Sequence, residues 1–291
     1  MKRLNLLKLL IIGILITSCS NDDDDSSAIP EANKKFIKAV TKPDLTQINR
    51  DHFFEYDDGL LTSATGFTIL AGNYEYDSEG KLIGKTNFDG QFTYEYDNQN
   101  RIIKEVKVGT NDYIGLTYQS GKVITERYYE FAGGLGNGGG EVLEIKELEL
   151  NSDGKIKKMT EISNVTTTDF SQENSFNKEY EQYLYDTNGN IITITTKYFD
   201  NPNESVLNIG YDEKINPYYI AFEKYYNITY YLENFYGVIF YNWYGLTPNN
   251  IISRGTESRT FIYDEENYPI SWQRFFSNGS SNAEAFVEYY E

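Results

Sequence analysis

Cysteine is nearly absent from this chain: Cys19 is the only one in 291 residues. A single thiol has no disulfide partner within the chain and too few companions for a zinc site. Histidine is as scarce. His52 stands alone, so a Ser-His-Asp triad or a histidine metal site would have to be built on that one ring. It precedes the β-prone Phe53-Phe54-Glu55-Tyr56 and reads as an ordinary surface or rim residue. Positive charge is short as well, with 26 Lys and Arg against 44 Asp and Glu and a formal charge of −18. Nucleic acid and anionic lipid need clustered cations, so both are excluded as direct ligands of the folded domain. Only six prolines occur, and helical signals are scarce. The marked apolar run is 9–16. It is too short to cross about 30 Å of hydrocarbon, which takes about 20 apolar residues.

That run has a different use. Met1, Lys2, Arg3 and Lys8 give a basic start, the apolar stretch follows, and small residues close it at Ile16-Thr17-Ser18-Cys19. This is the layout of a secretory signal. Its end resembles the lipobox of bacterial lipoproteins, which implies cleavage before Cys19 and acylation of its thiol. Residues 1–18 then form the signal peptide, and 19–34 a tether carrying Asp22-Asp23-Asp24-Asp25. Four adjacent carboxylates repel one another and stay solvated; a flexible line of them is not the ligand cage of a calcium site. An acidic run directly after the lipidated cysteine resembles the surface-export signal of Bacteroidetes-type lipoproteins. It implies an outer-membrane protein anchored through the lipid on Cys19 and facing the cell exterior. Loss of the three signal-peptide cations takes the formal charge from −18 to −21.

Beyond the tether the chain repeats itself. Phe54-Glu55-Tyr56-Asp57, Tyr74-Glu75-Tyr76-Asp77, Tyr94-Glu95-Tyr96-Asp97, Tyr183-Leu184-Tyr185-Asp186 and Phe261-Ile262-Tyr263-Asp264 share one pattern. Weaker copies lie at Thr117-Tyr118-Gln119 and Glu149-Leu150-Asn151. Neighbouring copies are about 20 residues apart, the mark of a repeat architecture. Aromatic-x-Tyr puts both rings on one face of a strand. Asp starts a tight turn, and a Gly or Asn a few positions on supplies positive φ. A second β-prone run completes a hairpin. The expectation over 35–291 is one all-β domain, an antiparallel meander of about seven or eight hairpins and about fifteen strands. The sheet either stays open and curls or closes into a barrel-like shell. A membrane-spanning barrel fits poorly, because Glu and Lys occur in both phases of strands such as 101–107.

The units resemble the YD repeats of Rhs and teneurin proteins, over about 50–290. A closer resemblance is to a family of small Bacteroidetes lipoproteins. It rests on Tyr211-Asp212-Glu213-Lys214-Ile215-Asn216-Pro217-Tyr218 and Leu246-Thr247-Pro248-Asn249-Asn250-Ile251. It implies the same hairpins around one irregular insert, in a large curved or porin-like sheet, and no particular activity.

Chemistry is thinly signalled. Gly134-Leu135-Gly136-Asn137-Gly138-Gly139 matches a dinucleotide fingerprint in letters only, since β-prone residues rather than a helix follow it. No cofactor or metal is expected. Carboxylates are plentiful enough to hide a glycosidase pair, but the recurring aspartates are better read as turn-formers. The unusual resource is aromatic: 27 tyrosines, crowded between Tyr218 and Tyr244, within an aromatic-rich insert at about 214–250. Its rings either plug an open end of the sheet or form a platform, since planar rings stack on sugar faces. The expected role is non-enzymatic binding or display, with a glycan as favoured ligand and Trp243, Tyr244, Tyr241, Tyr236 and Trp272 as candidate contacts. The alternatives are assembly with another outer-membrane protein and polysaccharide cleavage.

Overall fold

The Tyr-Asp signature builds one turn five times over. In each, a side-chain oxygen of Asp77, Asp97, Asn151, Asp186 or Asp264 accepts the amides two and four residues on. The residue at the third position has positive φ: Gly80 (75°), Asn100 (59°), Gly154 (76°), Gly189 (83°) and Asn267 (69°). This explains why only Gly or Asn stands there. At Gly189 a Cβ would also lie 2.1 Å from Lys155 Nζ.

The computed structural model describes residues 34–41, 51–66, 71–131, 140–166, 178–222, 247–282 and 284–290. The signal, the acidic run and the Gly134–Gly139 segment lie outside them. Eighteen strands form: β1 Ile37–Thr41, β2 His52–Asp57, β3 Leu60–Thr65, β4 Gly72–Tyr76, β5 Leu82–Asn87 and β6 Gly90–Tyr96. Next come β7 Ile102–Lys107, β8 Tyr113–Gln119, β9 Lys122–Phe131, β10 Gly140–Leu150, β11 Ile156–Thr166 and β12 Lys178–Tyr185. The last are β13 Ile191–Tyr198, β14 Glu204–Ile215, β15 Asn249–Arg254, β16 Glu257–Tyr263, β17 Pro269–Phe275 and β18 Ala285–Tyr289. A short helix, α1 (Pro217–Ala221), stands between β14 and β15.

Each strand pairs antiparallel with its neighbours in sequence, and β1 pairs with both β2 and β18. The sheet therefore closes into a barrel, and closure removes both edges. Eighteen strands form where about fifteen were expected. All Tyr-Asp turns fall at one end of the barrel, here called the turn end.

Alternation decides what faces where. Tyr74, Tyr94 and Tyr183 are buried, while their neighbours Glu75, Glu95 and Gln182 are exposed. Thr93, Ser258 and Thr260 are exposed on the same outer face. The apolar side points inward, into a core that includes Ile37, Phe54, Leu82, Ile102, Leu148, Met159, Ile194 and Trp272. Ile83, Leu184, Ile262, Ile270 and Phe286 are exposed on the outer face too. A spanning barrel needs a continuous apolar belt outside, which the outward Glu75, Glu95 and Gln182 interrupt. No helix among the described residues is long and apolar enough to cross a membrane.

An 18-stranded ring is wider than its own side chains can fill. On one side α1 enters the barrel. Asn216 caps it by accepting the Tyr218 amide, and Pro217 opens the first turn. Pro217, Tyr218, Ile220, Ala221 and Phe222 are buried, and Tyr218 and Phe222 pack edge-on against Phe54. This part of the insert is core, as the plug reading expected. His52 departs from its expected surface or rim position. It is buried, with Nδ1 3.0 Å from the Tyr218 hydroxyl, because β2 faces the inserted helix.

Candidate functional site at the barrel mouth

Five tyrosines near the turn end have a second task. Tyr96, Tyr118, Tyr185, Tyr211 and Tyr289 donate their hydroxyls to the carbonyls of Leu82, Ile102, Ile156, Ile191 and Pro269. Each acceptor is the first residue of the return strand in the preceding hairpin. Neighbouring hairpins are stitched together at the turn end, and the residue just before each acceptor often covers the stitching ring. Lys81 lies 3.9 Å over Tyr96, Arg101 4.1 Å over Tyr118 and Lys155 5.5 Å over Tyr185, while Tyr268 packs edge-on to Tyr289. Burial, with Asp77 nearby, pushes the Tyr96 hydroxyl up to about 12. It stays a protonated donor at neutral pH.

Between these stitches, among the described residues, the mouth carries a groove on one side. This groove, of about 370 Å³, is lined by Lys81 and Leu82, by Tyr96, Asn100, Arg101 and Ile102, and by Tyr118 and Leu150. That volume falls in the range of small-ligand sites. Its apolar wall comes from the first residues of return strands, and its polar lip from the turns. Arg101 is fixed by two bonds to Asp97 Oδ2, at 2.8 Å from Nε and 2.6 Å from Nη2. Asp97 is held below the usual carboxylate range, chiefly by the Arg101 amide and then by its side chain.

The other side of the mouth is closed by the base of the insert. Asn216 donates to the Thr247 carbonyl, Asn249 to Lys214 and Asn250 to Ile215, at 2.8, 3.0 and 2.9 Å. Asp212 accepts the amides of Lys214 and Asn250 and the Tyr263 hydroxyl. The two segments that carry the family resemblance are therefore the two ends of the insert, bonded to each other. They are structural in this fold.

Of the aromatic candidates, Tyr236, Tyr241, Trp243 and Tyr244 lie outside the described residues. Trp272 is placed in the core at 5% exposure, against Phe261 and beneath Arg259. It lines a cavity of only about 20 Å³, room for about one water. Trp272 offers no open face for a sugar.

Sequence reasoning missed a second zone. Deeper under the open groove, strands β5, β7 and β9–β12 turn charges inward: Lys85, Glu105, Arg127, Glu144, Lys146, Glu161, Lys178 and Glu181, four of each sign. Lys178 Nζ is 2.6 Å from Glu181 Oε2, Arg127 is 3.7 Å from Glu144, and Lys146 is 4.0 Å from Glu144. Glu181 also accepts the hydroxyls of Tyr183 and Thr196. Desolvation pushes the Lys146 ammonium down to about 7 against the pull of Glu144 and Glu161. The buried carboxylates of this zone stand among cations, an arrangement suited to mutual neutralisation. The signal that could have found them is register, since they sit in the phase of Leu148, Met159 and Tyr183.

No family model matches the chain. No curated protein matches it either. Among solved structures it is similar to a porin-like protein from Bacteroides vulgatus, at 12% identity and a TM-score of 0.41, over 88% of this chain and 99% of that one. It is also similar to a porin-like protein from Bacteroides uniformis, at 13% identity and a TM-score of 0.31, over 88% and 98%. Likeness at this level carries no conclusion about what the chain does.

Proposed function

We propose that this chain is an outer-membrane lipoprotein, anchored through Cys19 and facing the cell exterior, whose barrel stands in water and binds a glycan without cleaving it. The groove at the mouth carries this reading: it is of ligand size and combines tyrosine, aliphatic and planar polar side chains. The charged and polar positions that interrupt the outer wall, Glu75, Glu95, Gln182 and Thr93 among them, support a barrel beside the membrane rather than through it. The resemblance to YD-repeat lipoproteins supports the anchor and the exposed setting. A second reading, assembly with another outer-membrane protein, draws on exposed Ile262 and Phe286, which flank Ser271 in one cross-strand row.

The test has two parts. Cys19→Ala should abolish uptake of labelled palmitate; uptake by that variant would sink the anchor. Deleting Asp22 to Asp25 should reduce digestion by external protease on intact cells, and unchanged digestion would reduce the acidic run to a spacer. The full chain in detergent is then titrated with a panel of oligosaccharides. A saturable heat with any of them supports the binding role, and silence across the panel moves the reading to assembly.

A further inference from the structure

The hydrogen-bonding groups at the open groove are unequally divided between donors and acceptors. Lys81 Nζ gives one hydrogen bond, to Asn100 Oδ1 at 3.1 Å, and an ammonium has three to give. Arg101 commits Nε and Nη2 to Asp97, which leaves Nη1 with no bond among the described residues. The Asn100 amide nitrogen likewise has no acceptor among them. Two acceptors on the same lip are engaged: Asn100 Oδ1 holds Lys81, and Asp97 Oδ1 and Oδ2 hold the Gln99 and Arg101 amides and the guanidinium; Asp77, close to Tyr96, holds the Glu79 and Lys81 amides through Oδ1. The lip is thus rich in unused donors, two of them on cations, in a chain of formal charge −18. Below it the wall is Leu82, Ile102 and Leu150 beside the Tyr96 and Tyr118 rings.

A ligand that matches this needs a cluster of acceptor oxygens, preferably anionic, on a body with an apolar face. We infer that the groove takes an acidic saccharide, with a carboxylate or sulfate set between Lys81 and Arg101 and the C–H face of its ring on the aliphatic wall of Leu82, Ile102 and Leu150. Charge-assisted bonds to the anion are the strong ones, and the rigid Asp97 clamp presents Arg101 without further ordering. The acidity of the rest of the surface disfavours long polyanions, so short chains are the better probes. This inference rests on the glycan reading above and specifies its site.

The experiment is calorimetric titration of the full chain in detergent with trigalacturonate, maltotriose and hexanoate, repeated with Lys81→Gln and Asn100→Gly. Asn100→Gly keeps the positive φ that the turn requires, and Lys81→Gln removes a side chain whose one hydrogen bond is at the surface. Both variants should therefore fold. Trigalacturonate should bind at least about tenfold more tightly than maltotriose, and Lys81→Gln should weaken it by about tenfold. Equal binding of maltotriose would overturn the acidic inference and leave the glycan reading standing. Trigalacturonate binding unchanged in both variants would overturn the assignment to this groove. Silence with both sugars would overturn the inference and the glycan reading together, and hexanoate binding weakened by Lys81→Gln would then reassign the groove to an acyl carboxylate.

Discussion

The barrel is built from one repeated hairpin, yet its two halves are filled in opposite ways. On the side of β1, β2, β15, β17 and β18 the lumen holds α1, with Phe54, Tyr218, Phe222 and Trp272 packed among Ile37, Val40 and Ile251. On the side of β5 to β12 the lumen face carries eight charged side chains below the groove. The same turns and stitches serve both halves, so they set the wall and not its contents. A wide ring must fill its lumen somehow. This one fills half with an inserted segment, and the other half has charges that neutralise one another. Among the described residues, the candidate groove lies over the charged half.

The difference can be broken most severely from the plugged side. Phe222 is fully buried and packs on Phe54. Phe222→Ala should lower stability by about 3–5 kcal/mol, the usual range for truncating a buried aromatic, as read by urea denaturation. A loss under about 1 kcal/mol would mean that the helix is not part of the core.

The charged half should answer to pH instead. Lys146 faces Glu144 on its own strand, Arg127 on β9, Glu161 on β11 and Lys178 on β12. Its ammonium titrates near 7 when folded, against 10.5 ordinarily. Below pH 7 both states hold the proton and the full burial penalty is present. From about 7 upward the unfolded chain holds the extra proton, so stability rises with pH, on the order of 1 kcal/mol per unit. Denaturation midpoints between pH 6 and 9 should show this slope, and Lys146→Met should flatten it. An unchanged slope in the variant would place the titration elsewhere.

How much of this was legible follows from the chemistry of each element. The turns were, because Asp at the first position and Gly or Asn at the fourth are local requirements, satisfied within five residues. Two stitching tyrosines were harder to see. Tyr211 is followed by the insert rather than a tight turn, and Tyr289 by the chain end. His52 was misread because its burial comes from Tyr218, 166 positions away. The lumen charges went unseen because a Glu or Lys in a strand looks the same whether water or an opposite charge answers it. The tyrosine count pointed to sugar stacking, but at the turn end much of it is used for stitches. The large candidate rings at 236–244 lie beyond the described residues.

The stitches allow the finest comparison, within one residue type. Tyr118 donates to the Ile102 carbonyl at 2.9 Å, whereas the buried hydroxyls of Tyr56 and Tyr76 meet no hydrogen-bond partner among the described residues. Tyr56 sits at the closing seam, where it packs against Phe36 and Tyr290, and Tyr76 stands one hairpin further on. Tyr290 bonds the Phe54 carbonyl across the seam. Removing one hydroxyl that is bonded should cost about 1 kcal/mol, while removing one that is buried and unbonded relieves a desolvation penalty. Tyr118→Phe should therefore lower the denaturation midpoint measurably, and Tyr56→Phe and Tyr76→Phe should leave it unchanged or raise it slightly. Equal losses in all three would show that the hydroxyls of Tyr56 and Tyr76 are satisfied by groups beyond the described residues. In that case the hairpins beside the seam would be held by tyrosine hydroxyls in the same way as those that carry Tyr96 and Tyr118.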